Sequence, residues 1–203
     1  ETTGLSPLRN KIIEIAIFIH DGQKIITEFS SLINPECFIT ANISRLTGIT
    51  NEMVAEAPKF WEIAKDIVLL TEGKTFVAHN ASFDYNFVRN EFKSLGYDFK
   101  REKLCTVQLS RKIIPKRRSY SLGKLCNELN IPVNGRHRAA GDALATVKLF
   151  ELLLKTDPSL AGLKSGKFFN INTSIIKNLP DATGVYYFHN QQISYIPNIH
   201  FYY

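Results

Sequence analysis

Cysteine is scarce in this sequence: Cys37, Cys105 and Cys126 are scattered and form no CxxC pair. An odd, dispersed set argues against a disulfide framework and lacks zinc-site spacing. The three are read as small core hydrophobes in a reducing, cytoplasmic setting. Long apolar runs are missing too. No stretch approaches the roughly 20 residues that cross a bilayer, and no signal peptide opens the chain, so no membrane partner is expected. The sequence also has no internal repeat and no low-complexity tract.

What is present is ordinary globular material: 203 residues, 44% hydrophobic and 22% charged. That is enough for one sizeable domain with a small appendage. The 25 Lys+Arg against 19 Asp+Glu give a net charge of +6. A basic excess favours polyanionic partners, but one of this size names none.

Residues 11–20, rich in isoleucine, read as a strand, Asp21-Gly22 as a turn and residues 24–33 as a second strand, together a hairpin. Short helical turns follow over 44–56, and residues 60–70 carry apolar positions at helical spacing. Residues 75–78 form a short apolar strand; Ser82 is the expected cap of a helix running to Leu95 and stopped by Gly96. Another strand is expected over 103–109 and helices over 121–129 and 140–154. Strands first, then strands alternating with helices, indicate an α/β layer fold with a mixed sheet.

Three acidic residues stand at element ends among small or polar neighbours. Glu1 precedes Thr2-Thr3-Gly4, Asp84 follows His79-Asn80-Ala81-Ser82-Phe83, and Asp142 opens the last helix five residues after His137. Carboxylates converging from separate elements suit hard divalent cations, which take oxygen ligands and keep waters and phosphate in their shell. An imidazole titrates near neutrality, so His137 fits a general base. Its flanking Arg136 and Arg138 suit phosphate. Each signal has a plainer meaning. An acid in a first helical turn is more often a helix-end charge, a loop histidine is usually solvated, and His79 and Asn80 are as suited to tying down a loop as to touching substrate.

The joint order of these segments is more specific. Glu1-Thr2-Thr3-Gly4-Leu5, His79-Asn80-Ala81-Ser82-Phe83-Asp84 and His137-Arg138-Ala139-Ala140-Gly141-Asp142-Ala143 resemble the three motifs of the DEDDh 3′→5′ exonucleases, including the DNA polymerase III epsilon-subunit type. The resemblance spans the chain from Glu1 to about Thr156. It implies a ribonuclease-H-like α/β fold: a mixed five-stranded sheet flanked by helices, with the acids and the histidine at one edge. It also implies Glu1, Asp84 and Asp142 as ligands of two Mg²⁺ or Mn²⁺ ions, and His137 as general base. Thr2, Thr3, Gly4 and Leu5 are implied against the terminal nucleotide, with the backbone able to approach closely at Gly4. His79, Asn80, Phe83 and Arg138 are further substrate-contact candidates, a core role for Phe83 being equally open. The expected partners are single-stranded or mismatched DNA 3′ ends and a DNA polymerase or repair complex.

The family pattern also has an aspartate two positions before Glu1, on a central strand. Neither is in this chain, so an upstream segment is expected, together with weak turnover by the chain as given. A catalytically weak DNA-end-binding module and an exoribonuclease remain alternatives.

Two further segments carry expectations. The basic run from Arg111 to Arg118 is either a solvated face or a track for the phosphate backbone. Near the end, Gly184-Val185-Tyr186 and Tyr195-Ile196 resemble the opening of GIY-YIG endonuclease domains, although Pro197 stands where a glycine is expected and an ordinary hairpin accounts for the same residues. The organisation expected is an exonuclease domain over 1–157, a linker over 158–178 and a partial GIY-YIG-like segment over 179–203.

Overall fold

The computed structural model describes residues 1–135, 137–157, 184–189 and 192–197, the last two stretches as backbone. The expected linker and the rest of the tail lie outside the described residues.

The hairpin forms as β1 (Glu14–His20) and β2 (Ile25–Leu32), paired antiparallel from Glu14↔Leu32 to His20↔Ile25. Its turn is closed by the Asp21 carboxylate, which accepts the amides of Gln23 at 2.7 Å and Lys24 at 2.9 Å, the local bonding that places aspartate in turns. On the other side of β1, residues 1–3 run back along residues 11–14. The Thr3 amide donates to the Lys11 carbonyl and the Ile13 amide to the Glu1 carbonyl. The segment expected to carry the first acid is therefore held by the hairpin.

Helices α1 (Ala41–Thr47), α2 (Asn51–Ala55) and α3 (Phe60–Thr71) follow. The Glu62 carboxylate accepts the Lys59 amide at 2.7 Å, satisfying an orphan donor at the start of α3. Strand β3 (Phe76–Ala78) leads into α4 (Ala81–Ser94). The cap of α4 is Asn80 rather than Ser82. Asn80 adopts the left-handed conformation (φ 73°, ψ 50°), which asparagine tolerates better than most residues and which turns the chain sharply from strand into helix.

Strand β4 (Lys103–Cys105) pairs parallel with β3 and is shorter than expected. From Thr106 the chain is helical (α5, Thr106–Ile113), burying Thr106 and Ser110 one helical turn apart. Then come α6 (Leu122–Glu128) and α7 (Ala139–Thr156). In the tail, β5 (Gly184–His189) and β6 (Gln192–Pro197) pair antiparallel.

The class is α/β, as expected, with antiparallel and parallel pairs both present. Among the described residues, however, the strands stand as separate two-stranded ladders rather than one five-stranded sheet. No backbone hydrogen bond joins residues 1–3 to β3 within that set.

Three apolar clusters hold the layers. Ile12, just before the hairpin, and Ile15 of β1 pack with Phe60, Ile63 and Ile67 of α3 and with Phe87, Val88 and Phe92 of α4. A second cluster joins Leu125 and Cys126 of α6 to Leu149 and Leu153 of α7, and a third surrounds Ile13, Ile39 and Ile49. Burial of such side chains, worth about 1.5–3 kcal/mol each, is what fixes the helices on the strands.

The cysteines do not form the uniform set expected of core residues. Cys126 is buried, Cys105 is half-buried and Cys37 is exposed, in the loop where Glu36 takes a positive φ of 55°. No described helix is long and apolar enough to cross a membrane.

Candidate active site

The first motif is a tight turn. Thr2 Oγ1 donates to the Gly4 carbonyl at 2.7 Å, and buried Thr3 accepts the Lys11 amide at 2.9 Å. Both hydroxyls, expected against substrate, thus bond within the protein. The space a Cβ would need at Gly4 is taken by the Asn10 side chain, whose nearest atom lies 2.6 Å from the ideal position. Asn10 Oδ1 in turn accepts the Ser6 amide at 3.0 Å. A side chain at position 4 would have to push the Asn10 carboxamide away from its bond to Ser6. Leu5 is 85% exposed and so is free for contact; Leu8, not foreseen from sequence, is 83% exposed in the same loop.

Helix α4 fastens this loop. Asn90 Nδ2 donates to the Pro7 carbonyl at 2.7 Å. Glu91, buried on α4, accepts Lys11 Nζ at 3.0 Å and the Ile12 amide at 3.3 Å. The same helix carries Asp84 in its first turn. One rigid element therefore sets the position of both the second acid and the first motif.

Asp84 keeps solvent access while the protein around it crowds its carboxyl. Its pKa is pushed up to about 6, first by loss of hydration and then by the negative charges of Glu1 and Asp142, against the pull of the first residue's amino group and its own amide. Half-buried Asp142 stands in the first turn of α7. Asp84 is thus within electrostatic reach of both other acids expected from sequence. The three do not close into a ligand shell: no group of three or more His, Cys, Asp or Glu side chains among the described residues is arranged to hold a metal ion.

His79 adopts the loop-tying role. Its Nε2–H donates to the Tyr120 carbonyl at 2.7 Å, and Nδ1 lies 2.9 Å from the Thr106 hydroxyl. Neither ring nitrogen is left for substrate. Burial holds its pKa below the ordinary imidazole value, although the Tyr120 bond and the Asp142 charge favour the cation. Asn80 is exposed. Phe83 packs on Phe87 with ring centres 5.0 Å apart and against the first core cluster, which is the core alternative.

His137 lies in the loop before α7 with φ 61°, a strained value for a residue bearing a Cβ. Its imidazole makes no hydrogen bond or ion pair to a described residue, the three acids included. Arg138, expected to meet phosphate, is committed elsewhere. Its Nε lies 3.0 and 3.2 Å from the two Glu14 carboxylate oxygens and its Nη2 2.6 Å from one of them. A buried carboxylate needs such a partner. Arg136 lies outside the described residues. Glu14, Glu91, Thr106 and Tyr120 are the supporting residues that sequence reasoning missed. For the two glutamates a signal existed: an acid inside the isoleucine-rich run of β1, and an acid between Val88 and Phe92 on the inner face of α4.

Residues 1–150 match the family model described as exonuclease (RNase T). The chain belongs to the exonuclease family. A PolC-type DNA polymerase III of Caldanaerobacter subterraneus subsp. tengcongensis is 35% identical over 165 residues, which are 81% of this chain and 12% of that protein. The 3′-5′ exonuclease DinG of Bacillus subtilis is 40% identical over 157 residues, 76% of this chain and 17% of that protein. This exonuclease chain therefore spans less than a fifth of the length of these curated relatives. Among solved structures, exonuclease X in complex with 5′ overhanging duplex DNA is 30% identical, with a TM-score of 0.62 over 78% of this chain and 89% of that one. Exonuclease I of E. coli in complex with a dT13 oligonucleotide (18% identity, TM-score 0.68, 90% and 45% coverage) shares the fold. The family match ends at residue 150, short of the segment expected to resemble a GIY-YIG domain.

Proposed function

We propose that this exonuclease domain is of the DEDDh type and removes nucleotides from DNA 3′ ends with the help of divalent cations. The observation that carries the reading is Asp84 on a solvent-accessible edge, its pKa raised to about 6 by loss of hydration and, in smaller part, by the negative charges of Glu1 and Asp142. An all-carboxylate donor set of this kind fits a hard divalent cation in its chemistry, and an open shell leaves room for waters and phosphate oxygens. In this reading Glu1, Asp84 and Asp142 hold two Mg²⁺ or Mn²⁺ ions. When bound, such ions supply charge neutralisation at the scissile phosphate and activation of water.

The chain's own residues do the rest. His137 accepts the proton of the attacking water. Exposed Leu5 lies against the terminal base. The 3′→5′ polarity is supported by likeness to DinG, and DNA as substrate by likeness to exonuclease X. Likeness to PolC-type polymerases supports a replication or repair setting with a polymerase or repair complex as partner. The same reading takes residues 1–157 as the exonuclease domain, 158–178 as linker and 179–203 as the start of a GIY-YIG-like segment.

The test uses protein expressed from the complete reading frame, with 5′-labelled single-stranded DNA, mismatched duplex and RNA. A ladder shortening from the DNA 3′ end in Mg²⁺ or Mn²⁺, abolished by EDTA and reduced on the order of 10²-fold or more in His137→Ala, is the expected result. Binding of DNA ends without cleavage, or preferential shortening of RNA, would overturn it.

A further inference from the structure

Glu14 has no place in the metal-ligand set, yet it is buried at 5% exposure and is among the most heavily bonded carboxylates described. From β1 it receives Nε and Nη2 of Arg138 at 2.6 to 3.2 Å, and it also accepts the Ala139 amide at 2.7 Å. Arg138 is the residue next to His137 and the N-cap of α7; Ala139 is the first residue of that helix. These bonds thus fall on the two residues that follow the base candidate and lead into the helix carrying Asp142.

The loop is confined from a second direction. Arg138 donates its amide to the Gly135 carbonyl at 3.1 Å, and the carbonyls of Asn134 and Gly135 occupy the space where a Cβ of Gly141 would stand. A strained φ at His137 persists only where its surroundings over-determine it. The amide at the start of a helix has no intrahelical acceptor, so the Glu14 carboxylate both caps α7 and clamps the residue beside His137. Burial would raise the Glu14 carboxyl. The Arg138 hydrogen bond, the Ala139 amide and the Arg138 charge outweigh it and hold the carboxyl below its ordinary value, so the clamp is charged at neutral pH.

We infer that Glu14 is a positioning residue for His137: through Arg138 and Ala139 it fixes the backbone from which the imidazole projects. The inference rests on the reading of His137 as the base, and its test must separate the two. The experiment compares the full chain with Glu14→Gln, Arg138→Lys and, as a control for general loss of stability, Leu149→Val in the core of α7. Three measurements are made: amide hydrogen exchange over 137–142, the NMR signals of the His137 ring, and turnover on a labelled DNA 3′ end. In Glu14→Gln the Ala139 amide is expected to exchange on the order of 10-fold faster or more and the His137 ring signals to move. kcat is expected to fall with KM nearly constant. Arg138→Lys, which keeps the charge but loses the fork, is expected to retain part of each effect. Leu149→Val at equal thermal stability should leave the exchange at Ala139 and the ring signals alone.

Unchanged protection at Ala139 together with unchanged His137 signals in Glu14→Gln overturns the clamp. So does an equal response in Leu149→Val. If the parent protein cleaves no DNA end, the proposed activity fails, while exchange and ring signals still decide the clamp.

Discussion

His79 donates its Nε2–H to the carbonyl of Tyr120 at 2.7 Å, across 41 residues of sequence. The bond ties the end of β3, just before the helix of Asp84, to the segment following the basic run. Replacing His79 by Ala leaves the Tyr120 carbonyl without this partner and is expected to cost about 1–3 kcal/mol, read from the urea midpoint. The pH dependence follows from the depressed pKa. The folded protein binds the proton less readily than the unfolded chain, so stability from neutral His79 is present above the ordinary value of 6.5 and is lost as pH falls through the lower folded value. The stability difference between parent and His79→Ala should therefore shrink on acidification below 6.5; a difference constant from about pH 8 to about pH 5 would contradict it.

Gly141 tests how closely the His137 loop lies on α7. A methyl group there meets the Asn134 and Gly135 carbonyl oxygens. Gly141→Ala is expected to destabilise by about 1–3 kcal/mol through overpacking and to lower kcat by more than that loss of folded protein explains. Activity at a temperature where circular dichroism shows the variant fully folded is the measurement.

The basic run separates into paired and unpaired cations. Arg117 reaches Glu128 at 2.8 Å, and Arg111 lies over the Tyr120 ring. Lys112, Lys116 and Arg118 are exposed, with no ion pair to a described residue. Neutralising Lys116 and Arg118 should weaken single-stranded DNA binding and flatten its salt dependence by roughly 0.7 for each phosphate no longer neutralised. Neutralising Arg117 should chiefly alter stability. An identical salt slope in the parent and the double variant would leave the run as a solvated face.

Divalent cations should relieve the crowding around Asp84. Mg²⁺ or Mn²⁺ is expected to raise Tm in a concentration-dependent manner, as a ligand of the native state does. Asp84→Asn and Asp142→Asn should each abolish most of that rise. In metal-free, mildly alkaline buffer Asp84→Asn should melt no lower than the parent, because it removes a carboxylate that is hard to ionise in the fold. Calorimetry with and without EDTA reads both effects.

Much of this is legible in the residues themselves. Isoleucine alternation and Asp21-Gly22 mark the hairpin, and long apolar periodicity marks α7. The three acids stand out because each sits beside small residues at an element end. What local patterns miss is burial and partnership. Thr106 begins a helix although β-branched, because its side chain is fully buried against β3 and His79. Asn80 replaces Ser82 as the cap because the turn from β3 needs a left-handed residue. Arg138 reads as a phosphate ligand until Glu14, far away in sequence, is seen beneath it. Thr2 and Thr3 look available to substrate until their acceptor and donor inside the turn are located.

The clamp joins residues 124 positions apart, and that sets a limit on portability. A designer who grafted the segment from His137 to Ala143 onto another helix would move the imidazole and Asp142 intact. The Glu14 carboxylate that holds Arg138 and Ala139 would stay behind on the donor's hairpin, and the graft would lose the contacts that fix the backbone just after the histidine.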